Sequence, residues 1–220
     1  MNISRPLCIL FAAVLLHLRL VPTTALLDPT TVAIVLDDVA VPPPPLNSGG
    51  FDESDYIRSS CKTTLYPDTC YHSLKHYATA VQQDPGRLAR VAVGVSLAKA
   101  KLMSAFLSNL SREADYGAQP RDVAALHDCF SVLGDAVDHI RDSLSQMRKL
   151  GGTGDSLRFQ MSNVQTWMSA ALTNEDTCTD GFEDVSDDEP FKSDVCYRAG
   201  KVKEVTSNAL ALVNSFANNI

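Results

Sequence analysis

RDVAALHDCFSVLGDAVDHIRDSLSQM, residues 121–147, is the stretch of this chain that decides its fold. Its apolar side chains are separated alternately by three and four positions. That spacing places all of them on one stripe of an α-helix, as in helices that pack into a bundle. The stripe consists of Val123, Leu126, Phe130, Leu133, Val137, Ile140, Leu144 and Met147.

Three further segments show the same helical rhythm, and helix breakers separate them: Pro85, Pro120 and the glycines of residues 151–154. Connections this short between long helices make neighbouring helices antiparallel. The sequence therefore predicts an all-α fold, an up-down-up-down four-helix bundle over residues 84–218. The apolar positions are Leu88, Val91, Val95, Ala98 and Leu102 in the first helix, Leu157, Met161, Val164, Met168 and Ala171 in the third, and Val195, Val202, Val205, Ala209, Leu212 and Phe216 in the fourth.

A smaller unit, residues 54–83, precedes the bundle. Cys61 and Cys70 flank the sequence Tyr66-Pro67-Asp68, and proline disfavours helix at the residue before it, so the chain can reverse there. We expect a helical hairpin closed by a Cys61–Cys70 disulfide. Because so short a unit cannot bury a core alone, it must lean on the bundle or on a partner.

The N-terminal residues differ from the rest of the chain. Residues 1–25 predict a signal peptide, in which Arg5 precedes an apolar run and small residues at 23–25 suit cleavage. A membrane anchor is the alternative, but Arg19 interrupts the run before the roughly 20 apolar residues that a spanning helix needs. Residues 26–50 contain four consecutive prolines and an Asn-Ser-Gly-Gly segment, which indicate a disordered linker or, alternatively, a proline-rich recognition motif. The helical domain is then residues 51–220, with no membrane contact after cleavage.

Cleavage of the signal peptide would remove Cys8 from the six cysteines, so an odd number would enter an oxidising compartment. Sequence alone does not choose among the ways of pairing them. Cys178 follows Ala171 by seven residues, on the inner face of the third helix if that helix extends so far. Antiparallel packing could bring it to Cys129 on the second helix.

The sequence shows no convergent catalytic or cofactor-binding residues. It has no Gly-x-Ser-x-Gly elbow and no phosphate-binding or dinucleotide motif. His72 and His76 have helical spacing but no third metal ligand nearby. Residues 176–181 resemble the beginning of a calcium loop, but Cys178 stands at its third position and Asp187, instead of Glu, at its twelfth. We therefore predict neither enzymatic activity nor a cofactor.

Charge restricts the partners of this chain. Its formal net charge is −7, and removal of the signal peptide makes it more acidic. Nucleic acids and pectin are polyanions, so neither is expected to bind directly, whereas a basic protein would suit this chain better. The acidic residues concentrate after Cys178, where a solvated loop is the simplest interpretation.

Three stretches resemble the plant pectin methylesterase and invertase inhibitor family. They are Cys61–Cys70 with its Tyr-Pro turn, Asp128-Cys129 with the acidic residues after it, and residues 164–182, which include the sequence VQTWMSAALT and Asp176-Thr177-Cys178. The resemblance covers roughly residues 54–218 and includes residues 207–212. It implies a second disulfide between Cys129 and Cys178, which leaves Cys196 as a free thiol. It also implies a secreted inhibitor of the plant cell wall (apoplast), where an Asn109-Leu110-Ser111 sequon makes Asn109 a glycosylation candidate.

The resemblance also implies a partner surface. Members of the family form 1:1 complexes that cover the substrate cleft of pectin methylesterase, and Asp135 and Asp138 match acidic positions that face the esterase. Two departures stand out: Ser131 replaces the usual Glu, which removes a charged contact, and Leu133 replaces the usual Tyr. The sequence TWMSAALT, residues 166–173, is closest to esterase inhibitors. An acid invertase is the alternative target, although the Pro-Lys-Phe motif typical of invertase inhibitors is missing from this chain. A non-inhibitory cell-wall structural or binding module is the second alternative.

Overall fold

A computed structural model describes residues 54–114 and 119–220 of the chain, and within these ranges all regular structure is helical. The predicted all-α class is confirmed. The predicted signal peptide and linker, residues 1–25 and 26–50, lie outside the described residues. The helices are α1 (Ser54–Cys61), α2 (Pro67–Leu74), α3 (Ala78–Val81), α4 (Pro85–Ala114), α5 (Pro120–Arg148), α6 (Asp155–Asp180) and α7 (Lys192–Ala217), with a 3-10 turn at Lys75–Tyr77 between α2 and α3.

Helices α4 to α7 form the four-helix bundle. Each packs against the helix before it in the chain, and α7 returns to pack against α4. Six members of the α5 stripe are buried, from Leu126 to Met147, whereas Val123 and Phe130 pack at its edge. The heptad pattern of the sequence is thus the pattern of the core.

The helix starts follow local chemistry. Pro85 and Pro120 occupy the first turn of α4 and α5, where a missing N–H costs nothing and the fixed φ angle suits a helix. The Asp84 carboxylate accepts a hydrogen bond of 2.6 Å from the Arg87 N–H, so it caps α4. Gly152 and Gly154 in the turn before α6 have φ angles of +80° and +56°, which glycine adopts without strain.

The hairpin unit is more broken than the sequence predicted. It consists of three short helices and the 3-10 turn, and it ends at Gln82 and Gln83, which both have positive φ angles. His72 lies on α2 and His76 on the 3-10 turn, so they do not share one continuous α-helix. Within the described residues no three metal-ligating side chains cluster.

The hairpin rests on α7 through side-chain hydrogen bonds. The Asn208 side chain accepts a bond of 3.1 Å from the Tyr66 N–H and donates one of 2.9 Å to the Tyr66 carbonyl. The Thr69 hydroxyl donates to Glu204 over 2.8 Å. The hairpin therefore leans on the bundle, as expected for a unit with little core of its own.

The middle of helix α4 is apolar on every side because it is covered on every side. Residues 91–98 are all buried, since α5 and α7 cover one face and the hairpin contacts another. Helix α4 is long and apolar enough to cross a membrane, because it contains an 18-residue window with a mean hydropathy of 1.4. However, 61% of that window is buried inside the fold. Its composition is accounted for by a central place in the core.

Candidate functional site

Two covalent links hold the helices in place. Cys61 is bonded to Cys70, with Cα atoms 5.6 Å apart, and this bond closes the hairpin. Cys129 on α5 is bonded to Cys178 on α6, with Cα atoms 4.1 Å apart. Cys196 on α7 is a free, half-buried thiol, and burial raises its pKa.

The turn at the other end of the α5–α6 pair is held by Gln160. Its side chain donates to the Gly151 carbonyl over 2.7 Å and accepts from the Gly151 N–H over 3.2 Å. Gln146 on α5 also donates to it, over 3.3 Å. Together with the Cys129–Cys178 bond, these contacts fix the antiparallel register of α5 and α6 at both ends.

The outer face of α5 is acidic. Asp135 and Asp138 are both exposed on it, and Asp138 forms an ion pair with Arg141, one turn further along the helix. The other exposed residues on this face include Asp128, Ser131 and Asp142. We call this set, Asp128, Ser131, Asp135, Asp138 and Asp142, the acidic face.

The two departures from the family pattern differ in their consequences. Ser131 belongs to the acidic face, so its replacement of Glu removes a charge from an exposed surface. Leu133 is fully buried in the core. Its replacement of Tyr therefore changes packing inside the bundle and leaves the outer face of α5 as it is.

Beside the acidic face, α6 exposes a row of hydroxyl side chains that the sequence analysis missed. The row, which we call the hydroxyl stripe, consists of Ser162, Thr166, Ser169, Thr173 and Thr177. Their separation by four, three, four and four residues is visible in the sequence and could have revealed the stripe. Because Cys129 is bonded to Cys178 in this antiparallel pair, Ser169, nine residues before Cys178, lies level with Asp138, nine residues after Cys129.

Four of the five hydroxyls of the stripe donate to backbone carbonyls within α6, and among them that of Ser162 donates to the Phe159 carbonyl over 2.8 Å. Thr166 donates to the Ser162 carbonyl over 2.8 Å, Thr173 to the Ser169 carbonyl over 3.1 Å, and Thr177 to the Thr173 carbonyl over 2.9 Å. Donors that are already bonded within the helix cost little free energy when a partner displaces water from this uncharged surface. The oxygens keep free lone pairs, so they can still accept hydrogen bonds.

The acidic segment after α6 is anchored at its base. Phe182 and Phe191 are buried with ring centroids 6.4 Å apart. Lys192 donates to the Val185 carbonyl and pairs with Asp187 over 2.7 Å, and this hydrogen bond lowers the pKa of Asp187. The beginning of the calcium-like sequence, residues 176–180, lies within α6 instead of in a loop.

Asn109, the glycosylation candidate, is exposed near the end of α4. Its side-chain carbonyl accepts a hydrogen bond from Arg112. Ser111, the third residue of the sequon, is buried, and its hydroxyl has no hydrogen-bond partner. Glycosylation at Asn109 stays a prediction.

These features define a class of protein. A disulfide-linked bundle presents two adjacent helix faces, one acidic and one uncharged, with their register fixed at both ends. An ordered surface of this kind loses little conformational freedom on association, which suits it to binding another protein. The comparison with known proteins identifies the class more closely.

The chain belongs to the plant invertase/pectin methylesterase inhibitor family, whose model matches residues 55–212. It is 43% identical over 169 residues to pectinesterase inhibitor 9 of Arabidopsis thaliana, covering 75% of this chain and 82% of that protein. It is 41% identical over 165 residues to the 21 kDa protein of Daucus carota, covering 74% of this chain and 84% of the relative. The family is one of inhibitors, and this chain is not an enzyme.

The fold also matches a solved structure, a mutant form of a pectin methylesterase inhibitor from Arabidopsis. The TM-score is 0.57 with 20% sequence identity, over 72% of this chain and 95% of the other. At that identity the match concerns the fold alone. It agrees with the helical bundle described above.

Proposed function

We propose that this protein inhibits pectin methylesterase by forming a reversible 1:1 complex in which the α5–α6 surface covers the substrate cleft of the esterase. The observation that carries the proposal is the family membership, with 43% identity to a protein named as a pectinesterase inhibitor. The α5–α6 surface supplies the place of contact. It contains the exposed Asp135 and Asp138, which the resemblance to the family implies face the esterase.

Rigidity favours binding at this surface. Association loses less free energy when the side chains and backbone at the interface are already ordered. The Cys129–Cys178 bond and the Gln160 contacts hold α5 and α6 in one register before any partner arrives. The complex therefore needs no refolding of the inhibitor.

Charge gives the surface its selectivity. The acidic face would attract a basic rim on an esterase, which raises the rate of association and excludes acidic proteins. The same charge repels pectin, which is itself a polyanion, so the inhibitor acts on the enzyme and leaves the polysaccharide unbound. The uncharged hydroxyl stripe would lie against the less charged part of the cleft.

Export to the cell wall is part of the proposal. The Cys61–Cys70 and Cys129–Cys178 disulfides are bonds that persist in oxidising compartments. The predicted signal peptide, residues 1–25, would direct the chain there. N-terminal sequencing of the protein secreted by plant cells should find residues 1–25 removed, and retention of this segment would contradict the cleavage.

The direct test is a titration of purified inhibitor against a pectin methylesterase and, in parallel, against an acid invertase. We expect esterase activity to fall linearly to near zero at one equivalent of inhibitor when the enzyme concentration exceeds the dissociation constant, with recovery on dilution. Invertase inhibition without esterase inhibition would favour the alternative target. Binding to the esterase with no change in rate would favour a non-inhibitory module, and either result would overturn the proposal.

A further inference from the structure

A row of three polar side chains crosses the centre of the bundle. Ser96 on α4, Thr206 on α7 and Glu175 on α6 are each fully buried. The Ser96 and Thr206 hydroxyl oxygens are 2.8 Å apart, and the Thr206 hydroxyl donates to the Glu175 Oε1 atom over 2.7 Å. We call these three residues the core chain.

The hydrogen bonds of the core chain have one consistent direction. Thr206 has a single hydroxyl proton, and because it goes to Glu175, Ser96 must be the donor to Thr206. The second carboxyl oxygen of Glu175, Oε2, is buried with no hydrogen-bond partner. A carboxylate ion here would have one hydrogen bond in apolar surroundings, which is a costly arrangement for a charge.

The charged groups near Glu175 do not compensate for this cost. Asp176, the next residue on α6, is itself acidic, and Lys203 on α7 forms an ion pair with Asp176. Helix α4 contributes the neutral Ser96 to this part of the core. Among the described residues no charged group of α4 or α5 acts on Glu175.

The neutral acid is therefore the favoured form in the folded protein. Burial raises the pKa of the Glu175 carboxyl from 4.5 to about 8, against the hydrogen bond from Thr206, which lowers it. Asp176 raises the pKa further, and Lys203 lowers it. The position of the proton agrees with the geometry, because Oε2 is the oxygen left without a donor.

We propose that the core chain is a proton-dependent clamp, which holds α4, α6 and α7 together while Glu175 is protonated and loosens the bundle when Glu175 ionises. The clamp belongs to the free inhibitor. It acts through the stability of the bundle and does not depend on any contact with an esterase.

The direction of the pH dependence follows from proton linkage. Below the ordinary pKa of Glu, both the folded and the unfolded protein keep the proton, and Glu175 adds no dependence on pH. Above that value the unfolded chain releases a proton that the folded protein retains, so stability falls as pH rises until the folded pKa is passed. Across this window the folding equilibrium constant falls by up to about tenfold per pH unit.

The test compares thermal unfolding of the wild-type protein and the Glu175→Gln variant, followed by circular dichroism at about pH 5 and about pH 8.5. The variant keeps the shape of the side chain and removes its titration. We expect the Tm of the wild type to fall by roughly 5–10 °C more than that of Glu175→Gln between these conditions. The difference between the two curves isolates Glu175 from other titrating groups.

A matched control is Glu183→Gln, which removes an exposed carboxyl after α6. It should keep the pH profile of the wild type. An equal change of Tm with pH in the wild type and Glu175→Gln would overturn the clamp. So would a Glu183→Gln variant whose pH dependence of Tm departs from that of the wild type as much as that of Glu175→Gln does.

A second readout needs no variant and serves if Glu175→Gln fails to fold. Infrared spectroscopy of the folded wild type at about pH 6.5 should show a protonated carboxyl band, since ordinary carboxyls are ionised there. The band should disappear on unfolding at the same pH. Its absence from the folded protein would contradict the proposal, whether or not the protein inhibits an esterase.

Discussion

At the scale of single residues, the contacts that matter most join parts of the chain that are far apart in sequence. The Asn208 side chain makes two hydrogen bonds to the backbone of Tyr66, 142 residues away. Sequence could place Asn208 on the fourth bundle helix, but it could not show which backbone groups that helix would meet. The same is true of Glu175, whose environment comes from Thr206 and Ser96 on other helices.

Asn208→Ala should destabilise the protein. The Asn208 side chain is almost fully buried. Its removal leaves the Tyr66 N–H without a partner and takes one of two hydrogen bonds from the Tyr66 carbonyl, which still accepts from the Cys70 N–H, at a cost of about 1–3 kcal/mol. The measurement is the free energy of unfolding from urea denaturation. Asn218→Ala, at an exposed position past the end of α7, should change that free energy by less than about 0.5 kcal/mol. If Asn208→Ala lowers the free energy of unfolding no more than Asn218→Ala does, the hydrogen bonds between Asn208 and Tyr66 are energetically unimportant.

At the scale of helices and covalent links, the sequence predicted the bundle well and the hairpin less well. The heptad stripe of α5 and the breakers Pro85 and Pro120 are local signals, and the structure follows them. The hairpin has no comparable periodicity. Its division into α1, α2, α3 and a 3-10 turn depends on packing against α4 and α7, which a local pattern does not contain.

Removal of the α5–α6 disulfide should cost far more stability than removal of the free thiol. The Cys129–Cys178 bond closes a loop with a sequence separation of 49, worth roughly 3–4 kcal/mol in the chain-entropy model. Replacing both cysteines by Ala should lower the free energy of unfolding by about that amount. Cys196→Ala removes a half-buried side chain and should cost about 1 kcal/mol or less. Similar losses in the two variants would contradict a structural role for the bond.

At the scale of the whole molecule, a rigid bundle carries two separable devices. The outer face of α5 and α6 is polar, ordered and fixed in register, so it can serve binding. The core chain lies inside and governs how stability depends on pH. Sequence indicated the acidic face through Asp135 and Asp138. It gave no sign of the core chain, because a buried Glu is recognisable only once its surroundings are known.

Binding of the esterase through the α5–α6 surface is tested by the Asp135→Asn/Asp138→Asn double variant. Both aspartate side chains are exposed. The double variant also removes the Asp138–Arg141 ion pair, which lies on the surface and contributes little to stability. The matched control is Asp68→Asn/Asp194→Asn, which makes the same charge change on the hairpin and α7. It likewise removes one exposed ion pair, Asp194–Arg198.

The decisive measurement is the inhibition constant of the wild type and both double variants against one pectin methylesterase, at low and at high salt. We expect Asp135→Asn/Asp138→Asn to inhibit about three- to tenfold more weakly than the wild type at low salt, and this difference to narrow at high salt, because exposed charges are screened. The control variant should have the same inhibition constant as the wild type, and all three proteins should have the same circular dichroism spectrum. Equal inhibition constants for the wild type and Asp135→Asn/Asp138→Asn at low salt, or equal weakening by the control, would contradict binding through this surface.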